Sequence, residues 1–268
     1  MNIAIIAITE HGFQTALRIR SSYEPVPALY ILKTAVEKNF FAENLTGRVT
    51  LFSESLPKLT DVIFKQFDGL VFVMASGIVV RVIAPHIKDK YTDPAIVAVD
   101  DVGRFVISLL SGHEGGANIL THKIAAILRT DAVITTGTEA QKDIIIGIGC
   151  KKGIPSENVK ESILHAIQKA NIKFEQIRLL STIDIKSNEQ GLIQASEELG
   201  LPLRIVSRQE IATCVKSHSK SEFVNEKIGV WGVCEPAALI AGRKTKLILK
   251  KQKYPGVTIA VARENFMW

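Results

Sequence analysis

Residues 105–128 read FVISLLSGHEGGANILTHKIAAIL. An apolar run, FVISLL (105–110), enters a glycine-rich turn and leaves it as a helix-period stretch. There Ala117, Leu120, Ile124, Ile127 and Leu128 share one face, and His122 points away from it into solvent. A strand delivered through a turn into an amphipathic helix is the building unit of an α/β sheet. Ser111 and Glu114 fit S-x-x-E, a capping box with Ser111 as N-cap. Gly115 and Gly116 would then fall in the opening helical turns, where each costs about 1 kcal/mol relative to alanine. Close approach of a ligand or of another backbone explains them better. His113 would sit beside a helix N-terminus, where anions are favoured.

Outward from this stretch the same alternation continues. IAIIAI (3–8), GLVFVM (69–74), AIVAV (95–99) and AVITT (132–136) read as strands. Several are apolar throughout, as expected when both sheet faces are covered. LPKLTDVIFKQF (56–67) reads as a helix. A break falls at TEAQKD (138–143), and a second alternation follows: IIIGIG, SENVKESILHAIQKA, RLLST, LIQASEELG and PLRIVS, a helix over 235–241, then strands LILKK and VTIAVA. The pattern predicts two α/β domains with mainly parallel sheets in three layers. The first spans 1–140 and holds SGHEGGAN. The second spans 141–268 and holds GIGCKKG.

The 268 residues, 47% hydrophobic, suffice for a core in each domain. No apolar run approaches the ~20 residues of a membrane helix. MNIAIIAIT reads as a buried strand rather than a signal peptide. Cys150, Cys214 and Cys234 form no CxxC pair, so neither a structural zinc site nor a disulfide framework is expected. A cytoplasmic protein is the expectation. The net charge of +6 favours an anionic partner. KSHSKSEFVNEK and LILKKQKY are the densest basic stretches. Without interleaved aromatics they read as solvated loop and strand edge, not as a nucleic-acid footprint.

GxSxG, HExxH and GxxxxGK[ST] are all absent. Gly147-Ile-Gly149-Cys150-Lys151-Lys152-Gly153 approaches a dinucleotide fingerprint, but its third glycine comes one residue late. Such a turn can present N–H groups and two lysines to an anion; it can equally be a tight turn with solvated lysines. Ser76-Gly77 follows a strand and opens a helix carrying Arg81. Lys88 and Asp93-Pro94 form a turn. Asp100-Asp101 with Gly103-Arg104 is a hairpin by default, or a carboxylate pair with perturbed titration.

ASGIVVRVIAP (75–85), KDKYTDPAIVAVDDVGRFVISLLSGHEGGAN (88–118) and VITT (133–136) resemble the N-terminal domain of the cobalt-precorrin-5A hydrolase family. GIGCKKG (147–153), STIDIKSNEQGL (181–192), VCEPAAL (233–239) and VTIAVAR (257–263) resemble its C-terminal domain. There are departures. Many members carry a further segment between the domains, whereas VITTGTEAQKDIIIGIGC runs almost directly from one to the other. Glu139 also stands where an aspartate is usual.

The resemblance implies an enzyme of the anaerobic route to cobalamin. It would open the δ-lactone of a cobalt-bearing macrocycle with water and release acetaldehyde, giving cobalt-precorrin-5B. Lactone opening needs a base for water and donors for the developing oxyanion. His113 is the expected general base, with Asp100, Asp101 or Glu114 orienting it or acting as acid. Arg81, Lys88, Arg104, Lys151 and Lys152 would hold substrate carboxylates. Ser76, Gly77, Gly115, Gly116 and Asn118 complete the expected binding set. No protein metal site and no resident cofactor are expected, because cobalt arrives with the substrate. The expected partner is the tetrapyrrole, not nucleic acid or membrane. A homodimer and transient handover to neighbouring pathway enzymes are compatible with this reading. The alternatives are a non-catalytic tetrapyrrole-binding or pathway-scaffold protein and, more remotely, a nucleotide-binding regulator using GIGCKKG.

Overall fold

A computed structural model describes residues 1–36, 47–214 and 233–265. The chain divides into two compact units, Met1–Thr136 and Gly137–Trp268. The basic stretch KSHSKSEFVNEK lies outside the described residues.

In the first unit the order is β1 (Ile3–Ala7), α1 (Glu10–Ser22), β2 (Ala28–Leu32), β3 (Val49–Phe52), α2 (Leu56–Ile63), β4 (Gly69–Val73), α3 (Ser76–Ile83), β5 (Ala95–Val99), β6 (Phe105–Leu110), α4 (Ala117–Leu128) and β7 (Asp131–Val133). These strands form one sheet in the order β3-β2-β1-β4-β5-β6-β7. All its pairings are parallel except β5 with β6. Alternate residues of β1 feed opposite faces. Ile3, Ile5 and Ala7 pack with α1 and α4 residues such as Ile19 and Ile124; Ala4 and Ile6 pack with α2 and α3 residues such as Ile63 and Val79. This is why the strand is apolar at every position. Ile5, Ile6, Leu70 and Phe72 are fully excluded from water, and each such side chain contributes roughly 1.5–3 kcal/mol. Helix α1 begins where the Thr9 hydroxyl accepts from the Gly12 N–H at 3.0 Å.

The second unit runs α5 (Gly137–Ala140), β8 (Ile144–Cys150), α6 (Ser156–Ala170), β9 (Ile177–Ile183), α7 (Gln190–Glu198), β10 (Leu203–Val206), α8 (Arg208–Cys214), α9 (Cys234–Ile240), β11 (Thr245–Tyr254) and β12 (Val257–Glu264). Its sheet order is β10-β9-β8-β12-β11. Here only the β8–β9 and β9–β10 pairings are parallel, while β12 runs antiparallel to both β8 and β11. For β11 and β12 the reason is local: Pro255-Gly256 alone joins them, and so short a connection can link only antiparallel strands. Ile144, Ile146 and Ile148 face α6 and α7, and Ile145 faces α8 and α9. Helices therefore cover both faces in each unit, giving two α/β domains.

Candidate active site

The turn of residues 111–116 is built differently from a capping box. Helix α4 starts at Ala117, and its N-cap is Gly116 at φ 82°. Ser111 is itself left-handed at φ 55° and buried, and its hydroxyl finds no hydrogen-bond partner among the described residues. The Ser111 and Gly112 carbonyls accept from the N–H groups of Ala117 and Asn118, at 3.1 and 2.9 Å. The glycines serve this folding. A Cβ on Gly115 would lie 2.4 Å from the Ser111 Cβ, and one on Gly112 would lie 2.9 Å from Asn118 Oδ1. The backbone they admit is the turn's own.

His113 and Glu114 stand exposed at the crest of this turn. Glu114 pairs with Lys90 at 2.9 Å. That hydrogen bond, with His113 adding to it, holds the Glu114 carboxyl below its ordinary range. At neutral pH Glu114 is thus a carboxylate suited to stabilising an imidazolium, not a proton donor. Asn118 is buried. Its Oδ1 accepts from the Ser108 hydroxyl at 2.8 Å, and its Nδ2 donates to Thr136 Oγ1 at 3.1 Å. It braces the turn and has little left to offer a substrate. Lys88 lies on the same edge, where its N–H and that of Asp89 donate to buried Asp93 at 2.8 and 3.0 Å. His122 is half-buried on α4, not solvated.

The other expected residues of this unit lie elsewhere. Because β6 runs antiparallel to β5, Leu110 ends beside Ile96 while Val106 lies beside Val99. His113 and Glu114 therefore emerge at the edge where β1, β4 and β5 begin. Asp100, Asp101, Arg104, Ser76 and Gly77 gather at the edge where those strands end. A strand of this length separates the two groups by about 17–20 Å. Arg81 is exposed on α3.

On that second edge, Asp100 closes the β5–β6 hairpin. Its oxygens accept from the Phe105 N–H at 2.7 Å and from Arg104 Nε at 3.0 Å. Partial burial opposes ionisation, yet these donors outweigh it and hold the Asp100 carboxyl below its ordinary value. A depressed carboxylate stabilises the fold above the unfolded pKa of about 3.9, and that contribution is lost as pH falls through the lower folded value. Asp100→Asn should lower stability by about 1 kcal/mol at pH 7. In urea titrations the gap from the parent should narrow as pH falls below about 3.9, the unfolded value.

Asp101 differs. Its Oδ1 is buried without a hydrogen-bond partner among the described residues, close to Gly12 of α1. Thr9, His11 and Gly12 follow β1, and Ser76-Gly77 follow β4, the strand paired with it. Strand order reverses here, since β2 flanks β1 on one side and β4 on the other. Such a reversal is the usual place for a ligand in an open α/β sheet. Sequence reading passed over TEHG (9–12); a Thr-x-x-Gly after a buried strand was the available signal.

In the second unit, GIGCKKG ends β8 and leads toward α6. Gly147 and Gly149 answer to packing, whereas Gly153 has open space around it and answers to a left-handed backbone at φ 72°. A Cβ on Gly147 would lie 1.9 Å from the Cys234 carbonyl oxygen of α9. The Gly153 N–H, which a phosphate would need, already donates to Glu189 Oε1 at 2.6 Å. The turn is not a phosphate cradle. Lys151 and Lys152 remain exposed. Burial pushes the Cys150 thiol up to about 11, so it stays protonated at neutral pH.

Among the described residues, no group of three or more His, Cys, Asp and Glu could hold a metal ion, and no helix is long and apolar enough to cross a membrane.

Comparison with known sequences follows the division into units. The family model described as Cobalamin synthesis G N-terminal matches residues 58–139, and that described as Cobalamin synthesis G C-terminus matches residues 144–262. The chain belongs to the cobalamin synthesis G family. The cobalt-precorrin-5A hydrolase of Priestia megaterium is 27% identical over 357 aligned positions, taking in 97% of this chain and 94% of the relative. That of Salmonella typhimurium is 52% identical over 79 residues, 30% of this chain and 22% of the relative. Protein CobE of a Sinorhizobium species is 28% identical over 127 residues, 47% of this chain and 82% of the relative. The Priestia alignment is longer than this cobalamin synthesis G chain itself. The relative thus carries sequence without a counterpart here, while the two family matches in this chain are separated by residues 140–143 alone.

Proposed function

We propose that this protein, acting in the cytoplasm, opens the δ-lactone of cobalt-precorrin-5A with water and releases acetaldehyde to give cobalt-precorrin-5B. One observation carries the reading: both halves of the family are present in order, in a chain aligned with 94% of a relative named for this reaction. His113 takes the proton from water as it attacks the lactone carbonyl. The ester C–O bond then breaks and frees a hydroxyl on the meso carbon. Glu114, kept anionic by Lys90, stabilises the imidazolium. Removal of the hydroxyl proton expels the meso carbon and its methyl as acetaldehyde. The bonding pair passes to the macrocycle, where cobalt, part of the substrate, serves as electron sink, and a proton is added at carbon. The basic protein suits the acid arms of such a substrate.

A second reading is a tetrapyrrole-binding protein without catalysis. The sequence that the Priestia relative carries without a counterpart here favours it. Incubating the purified protein with cobalt-precorrin-5A and assaying acetaldehyde decides between them. The hydrolase reading expects one acetaldehyde per macrocycle consumed. Binding without acetaldehyde would overturn it in favour of the second.

A further inference from the structure

The unit Gly137–Trp268 contains a hollow of about 500 Å³ that the chemistry at His113 does not use. Its size is that of a small-molecule site. Ile185, Val233 and Val257 supply apolar walls, and Lys151, Lys186, Lys251 and Lys253 supply cations. Topology brings these lysines together. Lys151 follows β8 and Lys186 follows β9. Lys251 and Lys253, two residues apart on β11, share a face. The hollow opens at the carboxyl end of β8, where strand order reverses between β9 and β12.

The lysines are poorly matched within the fold. Among the described residues, Lys151, Lys251 and Lys253 form no ion pair, and Lys186 reaches only Glu189, at 3.9 Å. The nearby carboxylates are engaged with backbone: Glu189 accepts from the Gly153 N–H, and Glu235 accepts from the Lys251 N–H at 2.9 Å. Like charges around one apolar hollow repel one another, and an anionic ligand relieves that repulsion. Tyr254, stacked on His165 with centroids 6.1 Å apart, adds an aromatic surface to the wall. The ligand that matches is flat and apolar at its centre and carboxylated at its rim. A nucleotide matches less well, because the turn amide that would bind its phosphate is taken by Glu189.

We infer that this hollow binds one carboxylate-bearing edge of a tetrapyrrole macrocycle, the apolar walls against the ring and the lysines on its acid arms. The inference rests on the proposed substrate class but not on turnover, so the two can fail separately. The test titrates the full chain with uroporphyrin, a polycarboxylate porphyrin, and follows quenching of its fluorescence at low salt. The double variant Lys251→Gln/Lys253→Gln should raise Kd about tenfold, the combined effect of two partly exposed ion pairs with the ligand's carboxylates. Its Kd should also depend less on salt. Lys58→Gln/Lys65→Gln makes the same change in net charge at exposed positions of the first unit, and should leave Kd within twofold. Equal shifts in the two doubles, or none in the first, overturn the inference. So does displacement of uroporphyrin by ATP at similar concentration. Acetaldehyde release together with lysine-independent porphyrin binding would remove the hollow and keep the hydrolase. Lysine-dependent binding without acetaldehyde would do the reverse.

Discussion

His113→Asn should fold like the parent and lose acetaldehyde release by something like 10²–10⁴-fold, the usual effect of removing an acid–base group. Asparagine keeps similar size and hydrogen-bonding capacity but cannot take a proton from water. The side chain is exposed at the crest of its turn, so its loss leaves no cavity and no buried group unsatisfied. The turn itself is secured by the Ser111 and Gly112 carbonyls and by Asn118, none of which depends on the imidazole. KM should stay near the parent's, because the proton transfer matters only in the transition state. The branch of the pH–rate profile on which protonation of the base slows turnover should vanish. Near-normal turnover by a folded variant would move the chemistry to the opposite edge of the sheet. There Thr9 and His11 follow β1, Ser76 follows β4, and Asp101, whose Oδ1 has no hydrogen-bond partner among the described residues, follows β5.

Gly147→Ala should lower the stability of the second unit by about 3 kcal/mol, the upper range for overpacking a well-filled core. That corresponds to a fall in Tm of about 10 °C for a unit of this size. The added methyl would sit 1.9 Å from the Cys234 carbonyl oxygen and 2.7 Å from the Ala238 nitrogen. Both are backbone atoms of α9, so no side-chain rotation relieves the clash and the helix must lift from β8. Ala237, Ala238 and Ala241, which bury that helix against Ile145, would be pulled off the sheet together. An unchanged Tm in calorimetry would mean that α9 does not press on β8 at this residue. The glycine would then need a ligand-based explanation after all.

Much of the fold was legible in the chain. β1, β4 and β5 are apolar at every position because each residue meets a helix layer on one face or the other. The helical face of Ala117, Leu120, Ile124 and Leu128 is buried as its spacing requires. Less was legible between residues 10 and 55. There α1 mixes polar and apolar residues, and β2 and β3 are short, so neither periodicity stands out. The capping box misleads for a related reason. S-x-x-E is a local pattern, but Glu114 finds its partner in Lys90, 24 residues earlier in the chain. The glycines of GIGCKKG likewise resemble a ligand turn until α9 is seen crossing over Gly147.

The sequence by itself determined the α/β alternation, the division into two units and the family, since burial periodicity and motif order are properties of the chain alone. Only the tertiary structure decided which of the expected residues can work together. His113 and Asp100 are 13 residues apart in the chain, and by spacing alone they read as neighbours in one site. The antiparallel entry of β6 places them at opposite ends of a strand. The short connection 100–104 makes β6 antiparallel to β5, but which edge of the sheet each turn joins follows from the parallel pairing of β5 with β4, made by non-local hydrogen bonds that residue spacing does not encode. For the same reason Lys151, Lys186, Lys251 and Lys253, scattered over about a hundred residues, became a group only when β8, β9 and β11 were brought into one sheet.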